Sequence, residues 1–574
     1  MVPRPEYPRP QFQRKNWINL NGTWEFEVDQ AQVGKEKQWY KQGHLAGSIQ
    51  VPFCPESKLS GVGCLDFMNA VWYKKRIEVP KTWRDGRVLL WFGAVDYHTT
   101  VWVNGEEVGQ HVGGYTPFCI DVTDHAPLLE ITVCARDDVR SGKQPAGKQS
   151  ERLHSYGGFY TRTTGIWQTV WLEHVPEVYI KQLKMTPQVE SQSVHLEVQL
   201  SKMVRQASLQ VEACYEGEQM GNREISVNGR QVSLDLPLKQ LHLWDIGQGR
   251  LYDLHIMFQF GNSADEVDSY FGMRSISWDD RAFYLNGRPV FQRLVLDQGF
   301  YPDGIYTAPE EEALKTDIML SMQMGFNGAR MHEKVFEPRY LYWADRMGYL
   351  LWGEYPNWQL DVSQPQSTDI YLPQWLESVQ RDYNSPALVG WCPFNETWDC
   401  GGHKQNDDTL RNIYWATKAV DPTRPVIDTS GNYHVITDFY DIHDYTQDPG
   451  TFAQRYAPLQ EGGAPFETFP QRQHYQGQPF WISEYGGIGW DEEKREDGWG
   501  YGDRPKGKDE FLKRYQGLTQ VLLSNPNMMG FCYTQLYDVE QEINGLYTYS
   551  RKPKFNPEAI RAINSQQAAI ERQK

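Results

Sequence analysis

Hydrophobic and polar residues alternate at every second position in many short segments of roughly the first 177 residues. In the run WEFEVD at residues 24–29, Trp24, Phe26 and Val28 alternate with acidic residues, as expected of a strand with one buried face. Asn104-Gly105 separates two such runs and is typical of a tight hairpin turn. Many short strands joined by turn residues predict a jelly-roll β-sandwich for residues 1–177.

A second block of alternating segments covers residues 178–277. Its clearest runs are VHLEVQL (194–200), ASLQVEACY (207–215) and YDLHIMFQF (252–260). About 100 residues of such strands are typical of an immunoglobulin-like sandwich. No cluster of chemically reactive residues stands out here, so we expect this block to have a supporting role.

The pattern changes after Trp278, where apolar runs alternate with segments of helical periodicity. Eight strand candidates follow one another at 289–299, 326–332, 349–355, 387–396, 424–430, 439–445, 478–487 and 529–538. Several are apolar throughout, as parallel strands buried on both faces should be. Between the first two, residues 307–325 predict a helix with a capping box at Thr307 and Glu310 and a terminating Gly325. Eight such units predict a (β/α)8 barrel over residues 278–574.

Polar residues cluster at the ends of these runs, where such a barrel places its active site. In chain order they include Asp297, Arg330, His332, Glu354, Asn395, Glu396, His443, Tyr445 and Glu484. A glycosidic bond is cleaved when one carboxyl group protonates the departing oxygen and a second supplies electron density to the anomeric carbon. Glu396 lies at the end of the fourth strand candidate and Glu484 at the end of the seventh. These two glutamates are therefore the candidate catalytic pair.

Bulk composition removes several other classes of function. The formal net charge of −17 disfavours nucleic acid and anionic lipid as partners. We find no apolar stretch of the ~18 residues that a membrane span needs. The opening MVPRPEYPRPQF lacks the apolar core of a signal peptide, so we expect a cytoplasmic protein. The eight cysteines form no CxxC pair and predict free thiols rather than a zinc ribbon.

The chain resembles glycoside hydrolase family 2, the β-galactosidase/β-glucuronidase family, over essentially its whole length. WINLNGTWEFEVD, VWVNGEEVGQHVGGYTPFCIDVTD and GIWQTVWLE are similar to the family's first domain, and FYLNGRPVFQR to its entry into the barrel. GFNGARMH resembles its second barrel strand, FNETW its acid/base segment and WISEYGG its nucleophile segment. The resemblance implies the same three-part fold: jelly roll, immunoglobulin-like sandwich and (β/α)8 barrel.

The resemblance also implies roles for individual residues. Glu396 matches the general acid/base and Glu484 the nucleophile. Asn395 matches the residue that hydrogen-bonds the sugar 2-hydroxyl, whereas Arg330 and Tyr445 match groups that hold the nucleophile. The remaining candidates for sugar binding or support are His332, His443, Asp297 and Glu354. Alternatives stay open: Arg330 as a structural ion-pair partner, the histidines as hydrogen-bonded core residues, and Asp297 and Glu354 as strand-end caps.

Three departures from the family pattern affect the expected chemistry. The segment GEYPNW has Pro356 where the metal-dependent β-galactosidases carry a histidine ligand, so we predict no metal and no other cofactor. We find no match to the Asn-x-Lys element with which the family's glucuronidases hold the substrate carboxylate. An eighth-strand tryptophan common in related barrels also looks replaced, with YTQLYD there instead.

These observations predict a retaining, exo-acting glycoside hydrolase of the β-galactosidase type, with a glycoside or oligosaccharide as substrate. The alternatives on the same machinery are an arabinosidase, a β-mannosidase, a β-galactofuranosidase or a β-glucuronidase. A non-catalytic carbohydrate-binding protein is the alternative from another class. The oligomeric state stays open, with a homo-oligomer as one option. We further expect the loop at residues 52–63, with Glu56 and Lys58, to contribute to the substrate pocket.

Overall fold

The computed structural model describes residues 2–493 and 495–572, and it begins with a two-sheet sandwich. One sheet has the strand order β3-β2-β4-β10-β7-β8 and the other β1-β12-β5-β9, with β11 and β6 paired separately. The strands are β1 (Trp17–Asn19), β2 (Gly22–Val28), β3 (Gly47–Val51), β4 (Ala70–Glu78), β5 (Arg87–Phe92), β6 (Val95–Asp96), β7 (His98–Val103), β8 (Glu106–Val112), β9 (Phe118–Asp121), β10 (Leu128–Arg136), β11 (Gly165–Ile166) and β12 (Val170–Val175). The predicted jelly-roll-type sandwich is confirmed.

The hairpin predicted at Asn104-Gly105 joins β7 and β8. Both turn residues have positive φ, 52° and 81°, as a type I′ turn requires. The two sheets enclose a core that includes Trp24 and Phe26, the inward positions of the first alternating run. The period-two pattern therefore identified the buried face of this strand correctly.

The second part is a β-sandwich built around one long hairpin. Its strands are β13 (Ile180–Gln188), β14 (Ser193–Tyr215), β15 (Glu218–Pro237), β16 (Tyr252–Phe260) and β17 (Ser263–Phe271). The first half of β14 pairs with β13 and its second half with β16, while β15 follows β14 along both halves. Register shifts between Gln199 and Ala207 mark the bend that lets one hairpin serve both layers.

The remainder of the described chain forms the predicted barrel of parallel strands. After a small antiparallel sheet, β18 (Ile276–Trp278), β19 (Phe283–Leu285) and β20 (Arg288–Pro289), seven parallel strands run in the order β24-β23-β22-β21-β29-β28-β27. The barrel strands are β21 (Gln292–Asp297), β22 (Gly328–Met331), β23 (Leu350–Glu354), β24 (Leu388–Cys392), β25 (Phe394–Asn395), β26 (Thr429–Ser430), β27 (Tyr440–Asp444), β28 (Phe480–Gly486) and β29 (Met528–Thr534). Parallel pairing of β25 with β26, and of Trp391 with Val426, brings the fifth predicted run into the ring.

Helices surround this ring and connect its strands. They are α1 (Glu311–Gln323), α2 (Pro338–Met347), α3 (Ser367–Asp382), α4 (Asp407–Val420), α5 (Pro449–Gln460), α6 (Lys508–Ser524) and α7 (Pro557–Asn564). Short 3-10 helices cover Trp39–Lys41, Lys58–Ser60, Lys81–Trp83, Thr123–His125 and Ala569–Arg572. Among the residues described, no helix is long and apolar enough to cross a membrane. All eight cysteines are free, as expected.

The capping box predicted at the start of α1 is wrong. The helix begins at Glu311, its N-cap is Glu310, and that residue makes no side-chain cap. The hydroxyl of Thr307 instead donates to the backbone oxygens of Pro52 and Trp167 in the sandwich. A tertiary contact between the two domains therefore takes the group that the local motif assigned to the helix.

Candidate active site

Glu396 and Glu484 meet at the carboxyl-terminal mouth of the barrel. Glu396 follows β25 directly, at a φ of 47°, and Glu484 lies within β28. Three atoms all lie within 4.8 Å of one another: a carboxyl oxygen of Glu396, a carboxyl oxygen of Glu484 and a ring nitrogen of His443. The carboxyl groups of retaining glycosidases are about 5–5.5 Å apart, whereas inverting enzymes need about 6.5–9.5 Å to admit a water molecule. The spacing is that of a retaining pair.

The carboxylate of Glu484 is held from several directions. Arg330 Nη1 donates to its Oε1 at 3.1 Å, and the hydroxyl of Tyr445 donates to its Oε2. The Tyr445 ring is itself fixed by parallel stacking on Tyr501, with the ring centroids 3.4 Å apart. Hydrogen bonds from a guanidinium and a phenol stabilise the ionised form of a carboxyl group and fix its orientation. Arg330 and Tyr445 thus fix the orientation of the Glu484 carboxyl group at the mouth.

Arg330 connects this carboxylate to the neighbouring strand ends. Its Nε donates to Glu354 Oε1 at 2.5 Å, and its Nη2 donates to the side-chain oxygen of Asn395 at 2.9 Å. Because that oxygen is occupied, the Asn395 side-chain nitrogen is the group left to donate into the cavity. The backbone of Asn395 is fixed as well, through hydrogen bonds in both directions with the side chain of Asn357.

His443 lies between the two glutamates. Its Nδ1 is 2.7 Å from Glu396 Oε1, and its Nε2 is 3.4 Å from Glu484 Oε1. Burial lowers the pKa of His443, but the charges of Glu484 and Glu396 outweigh burial and raise it above its usual value. Burial raises the pKa of Glu396, and the hydrogen bond and charge of His443 outweigh it, so that this pKa is lowered. The two groups therefore share one proton next to the reacting centre.

We predict that the alkaline limit of activity depends on His443. The His443–Glu396 pair keeps its proton up to the raised pKa of the imidazole, and kcat/KM should fall as pH rises through that value. In His443→Gln, Glu396 must carry the proton alone. Loss of the imidazole raises the pKa of this carboxyl group, but an ordinary carboxyl pKa is about two units below that of imidazole, so the proton should still be lost at a lower pH. The alkaline limb of the kcat/KM profile should therefore move to lower pH, whereas replacement of the exposed His403 should leave it unchanged. An unmoved limb in His443→Gln would contradict the shared proton.

The other predicted residues lie behind these groups. His332 Nδ1 is 3.1 Å from Glu354 Oε2, and burial together with the charge of Lys148 lowers its pKa well below the usual value. Glu354 is buried between Arg330 and His332. Asp297 accepts from Tyr537, Gly299 and Tyr340 in the barrel interior. The contacts of Glu354 and Asp297 are thus made to protein groups.

The sandwich reaches the mouth at Lys148, whereas Glu56 and Lys58 of the loop at residues 52–63 have other partners. Lys58 is on the surface next to Asp303, and Glu56 is buried beneath the Thr164 backbone. The loop at residues 146–148 approaches instead, with Lys148 Nζ 3.6 Å from the ring centre of Trp358.

The sequence alone did not indicate Lys148, its neighbours Glu333, Trp358 and Glu542, or Tyr501 beside Tyr445. Trp358 and Asn357 belong to the segment GEYPNW, whose one sequence signal is Pro356 in place of a metal-binding histidine. The other three barrel residues follow strand ends in loops without a recognisable motif.

Among the described residues, Glu396, His443 and Glu484 form the group that could hold a metal ion. The arrangement does not fit that use. A raised pKa favours the protonated imidazole of His443, whose Nδ1 faces Glu396 Oε1 and whose Nε2 lies 3.0 Å from the Ser430 hydroxyl and 3.4 Å from Glu484 Oε1. A histidine binds a metal through a deprotonated nitrogen. An ion here would also occupy both carboxylates.

We therefore expect activity to survive prolonged treatment with excess EDTA. The measurement is kcat/KM on an aryl glycoside before and after removal of the chelator, with and without added Mg²⁺. Loss of activity that Mg²⁺ restores would contradict the account.

The protein combines a sandwich, an immunoglobulin-like domain and a barrel whose mouth carries two opposed glutamates. This combination defines a glycoside hydrolase. Comparison with family models agrees along the chain. Residues 64–135 match the glycosyl hydrolases family 2 sugar-binding domain, residues 178–274 match glycosyl hydrolases family 2, and residues 278–489 match its TIM barrel domain. The chain belongs to glycosyl hydrolase family 2.

Individual relatives carry two different activities in their names. A β-galactosidase of Thermoanaerobacterium thermosulfurigenes is 27% identical over 410 residues, which cover 66% of this chain and 53% of the relative. The matched part thus spans about half the length of that β-galactosidase. A β-glucuronidase of Paenibacillus borealis is 24% identical over 509 residues, 82% of each chain.

Solved structures match the fold over nearly the whole chain. The β-glucuronidase of Ruminococcus gnavus, in complex with an N1-substituted uronic isofagomine, superposes with a TM-score of 0.79 over 98% of this chain and 99% of its own. The sequences are 19% identical, so this likeness establishes the fold alone.

Proposed function

We propose that the protein is a retaining, exo-acting β-glycosidase that removes terminal sugars by double displacement. The observation that carries this proposal is the pair Glu396 and Glu484, whose carboxyl oxygens lie within 4.8 Å of each other at the barrel mouth. That separation is closer to the retaining than to the inverting spacing, and it suits direct attack by one carboxylate on the sugar.

Glu484 is the nucleophile and Glu396 the general acid/base in this mechanism. Arg330 and Tyr445 hold Glu484 oriented towards the anomeric carbon. Glu396, which shares a proton with His443, protonates the departing oxygen when the glycosyl-enzyme forms. It then removes a proton from the water that hydrolyses this intermediate, and the configuration is retained after two inversions.

The remaining site residues either bind the sugar or support the residues that bind it. Asn395 donates from its side-chain nitrogen to the sugar 2-hydroxyl, because Arg330 occupies its oxygen. His332 faces the sugar from beside Glu354, while Glu354 and Asp297 serve as anchors, since their oxygens are taken up by protein donors. Asp297 and Glu354 are therefore proposed as supports rather than direct sugar contacts.

Exo action follows from the way in which loops narrow the mouth. Backbone N–H groups of Ala146 and Gly147 donate to the backbone oxygen of Trp358, which fixes a sandwich loop over one side. Close to this loop, the indole of Trp499 donates to the backbone oxygen of Gly157 and ties a second sandwich segment to the barrel. A cavity bounded in this way admits the end of a glycan chain more readily than its middle.

A β-galactoside type of substrate is the first candidate for the sugar, and a β-glucuronide is the second. The second is favoured by the names of relatives with the most extensive matches. Comparing kcat/KM on 4-nitrophenyl β-glycosides, with the Glu484→Gln variant as a blank, tests the proposal. Release of nitrophenol that depends on Glu484 is expected, and release unaffected by that change would refute the mechanism.

A further inference from the structure

We propose that Lys148, contributed by the sandwich, binds a hydroxyl group of the sugar that is cleaved, and that the site thereby selects neutral sugars over uronates. This inference rests on the proposed function, because it concerns the substrate class of the same site. Four features of the structure support this inference. They are the hydrogen bonds that dock the lysine, the unused donors of its ammonium group, its position next to Glu396, and the chemistry of the groups that face it.

Lys148 is held firmly at the barrel mouth. The preceding residues Ala146 and Gly147 donate to the Trp358 backbone oxygen at 3.0 and 3.2 Å, and the Tyr160 N–H donates to the Lys148 oxygen at 2.7 Å. Gly147 has a φ of 60°, and a Cβ there would lie 2.5 Å from the backbone oxygen of Glu333. Only glycine allows this approach, so the loop is built to bring the lysine to this place.

The ammonium group of Lys148 is accessible from the cavity, and its hydrogen-bond donors are unused among the described residues. The residue is only 7% exposed, and its Nζ lies 3.6 Å from the centre of the Trp358 ring. An aromatic face attracts a cation but accepts none of its three N–H groups as a full hydrogen bond. Within the described part of the chain, no oxygen accepts from this nitrogen and no carboxylate forms an ion pair with it. Its three donors are therefore free to bind a ligand that enters the mouth.

The position of this group is that of a sugar contact. The indole N–H of Trp358 donates to the Asn395 backbone oxygen at 3.1 Å, one residue before the acid/base. The charge of Lys148 acts on the carboxyl groups of Glu396 and Glu542. A Cβ at Gly158 would lie 3.4 Å from Lys148 Nζ and 3.9 Å from Glu542 Oε2, so the glycine leaves space between the two groups.

The surroundings of the lysine suit a hydroxyl group better than a carboxylate. Glu542 accepts from Tyr160 and Asn544 but forms no ion pair with Lys148, which leaves a gap between an acceptor and a donor. A hydroxyl in that gap can accept from the ammonium and donate to the carboxyl oxygen at once. A uronate would instead bring a second acceptor-only group beside Glu542 and Glu396, where like groups repel.

The test compares Lys148→Met with wild type on 4-nitrophenyl β-D-galacto-, gluco- and mannopyranoside and on the β-D-glucuronide. The best neutral substrate is then replaced by its 3-, 4- and 6-deoxy analogues. On the parent sugar, kcat/KM should fall about 10- to 100-fold, the size expected for a lost charge-assisted hydrogen bond. On one deoxy analogue the variant and the wild type should be nearly equal, because the bond is already missing.

Three controls keep the result interpretable. Lys143→Met removes an exposed lysine of the same loop and should leave all rates unchanged. Lys148→Arg should retain more activity than Lys148→Met, because it keeps a cationic donor. Glu542→Gln should narrow the preference for the neutral sugar over the glucuronide.

Several outcomes would overturn the inference alone. They are equal activity of Lys148→Met and wild type on the parent sugar, an equal loss on every deoxy analogue, and a wild-type preference for the glucuronide that Lys148→Met abolishes. Turnover that persists in Glu484→Gln, or turnover of none of these glycosides, would instead overturn the proposed function on which the inference rests.

Discussion

Replacing Glu484 with alanine should lower kcat/KM on any aryl glycoside by on the order of 10⁴- to 10⁶-fold, the loss typical of a deleted nucleophile. The reason is that no other group is placed to form the glycosyl-enzyme. Arg330 would keep its hydrogen bond to Glu354, so the barrel interior retains a partner for the guanidinium and the variant should remain folded. The measurement is steady-state kinetics together with a thermal unfolding curve.

Two matched variants accompany this experiment. Glu484→Gln preserves the shape of the side chain and should be nearly as inactive as Glu484→Ala. Glu461→Ala removes an exposed glutamate from the same barrel and should leave kcat/KM unchanged. Residual activity above a few per cent in both Glu484 variants would assign the nucleophile elsewhere.

Replacing Glu396 with alanine should produce a different defect, which depends on the leaving group. With an activated aryl leaving group, the first step hardly needs a proton and should remain fast, whereas hydrolysis of the intermediate loses its general base. We expect a burst of aryl alcohol followed by a slow steady state, and a low apparent KM because the intermediate accumulates. With an unactivated alkyl glycoside, kcat/KM should fall by a further ~10²- to 10⁴-fold, the usual contribution of general acid catalysis.

Stopped-flow release of the aryl alcohol measures the burst directly. A loss of equal size on activated and unactivated substrates, without a burst, would show that Glu396 is not the proton donor. His443→Gln serves as the comparison, since it removes the partner of Glu396 but leaves the carboxyl group in place.

The barrel and its two glutamates could be predicted because their signals are local in sequence. Apolar runs followed by polar residues mark strand ends, and parallel strands of a closed barrel must end at one mouth. Glu396, Glu484, Arg330 and His443 each follow or terminate such a run, and the structure brings all four together. Knowing which segments are strands, and which face of each strand is buried, was therefore enough to predict most of the site residues.

What the sequence could not predict depends on contacts between domains. Thr307 fits a capping box, yet it bonds to Pro52 and Trp167 of the sandwich, because the docked domain offers buried carbonyl groups that need donors. Lys148 lies outside any recognisable sequence motif. Backbone hydrogen bonds from its loop to Trp358 fix its place at the barrel mouth. Neither interaction leaves a periodic or local signal in the sequence.

The most direct test of the central claim, that Glu484 is the nucleophile and Glu396 the acid/base, is the anomeric configuration of the azide products. Azide needs no general base, so it should attack the glycosyl-enzyme of Glu396→Ala and give the β-glycosyl azide. In Glu484→Ala it should enter the space that the carboxylate leaves and give the α-azide from a β-glycoside. Proton NMR of the products distinguishes the two anomers. We expect the β-azide from the Glu396 variant and the α-azide from the Glu484 variant, and the reverse result would exchange the roles of the two glutamates.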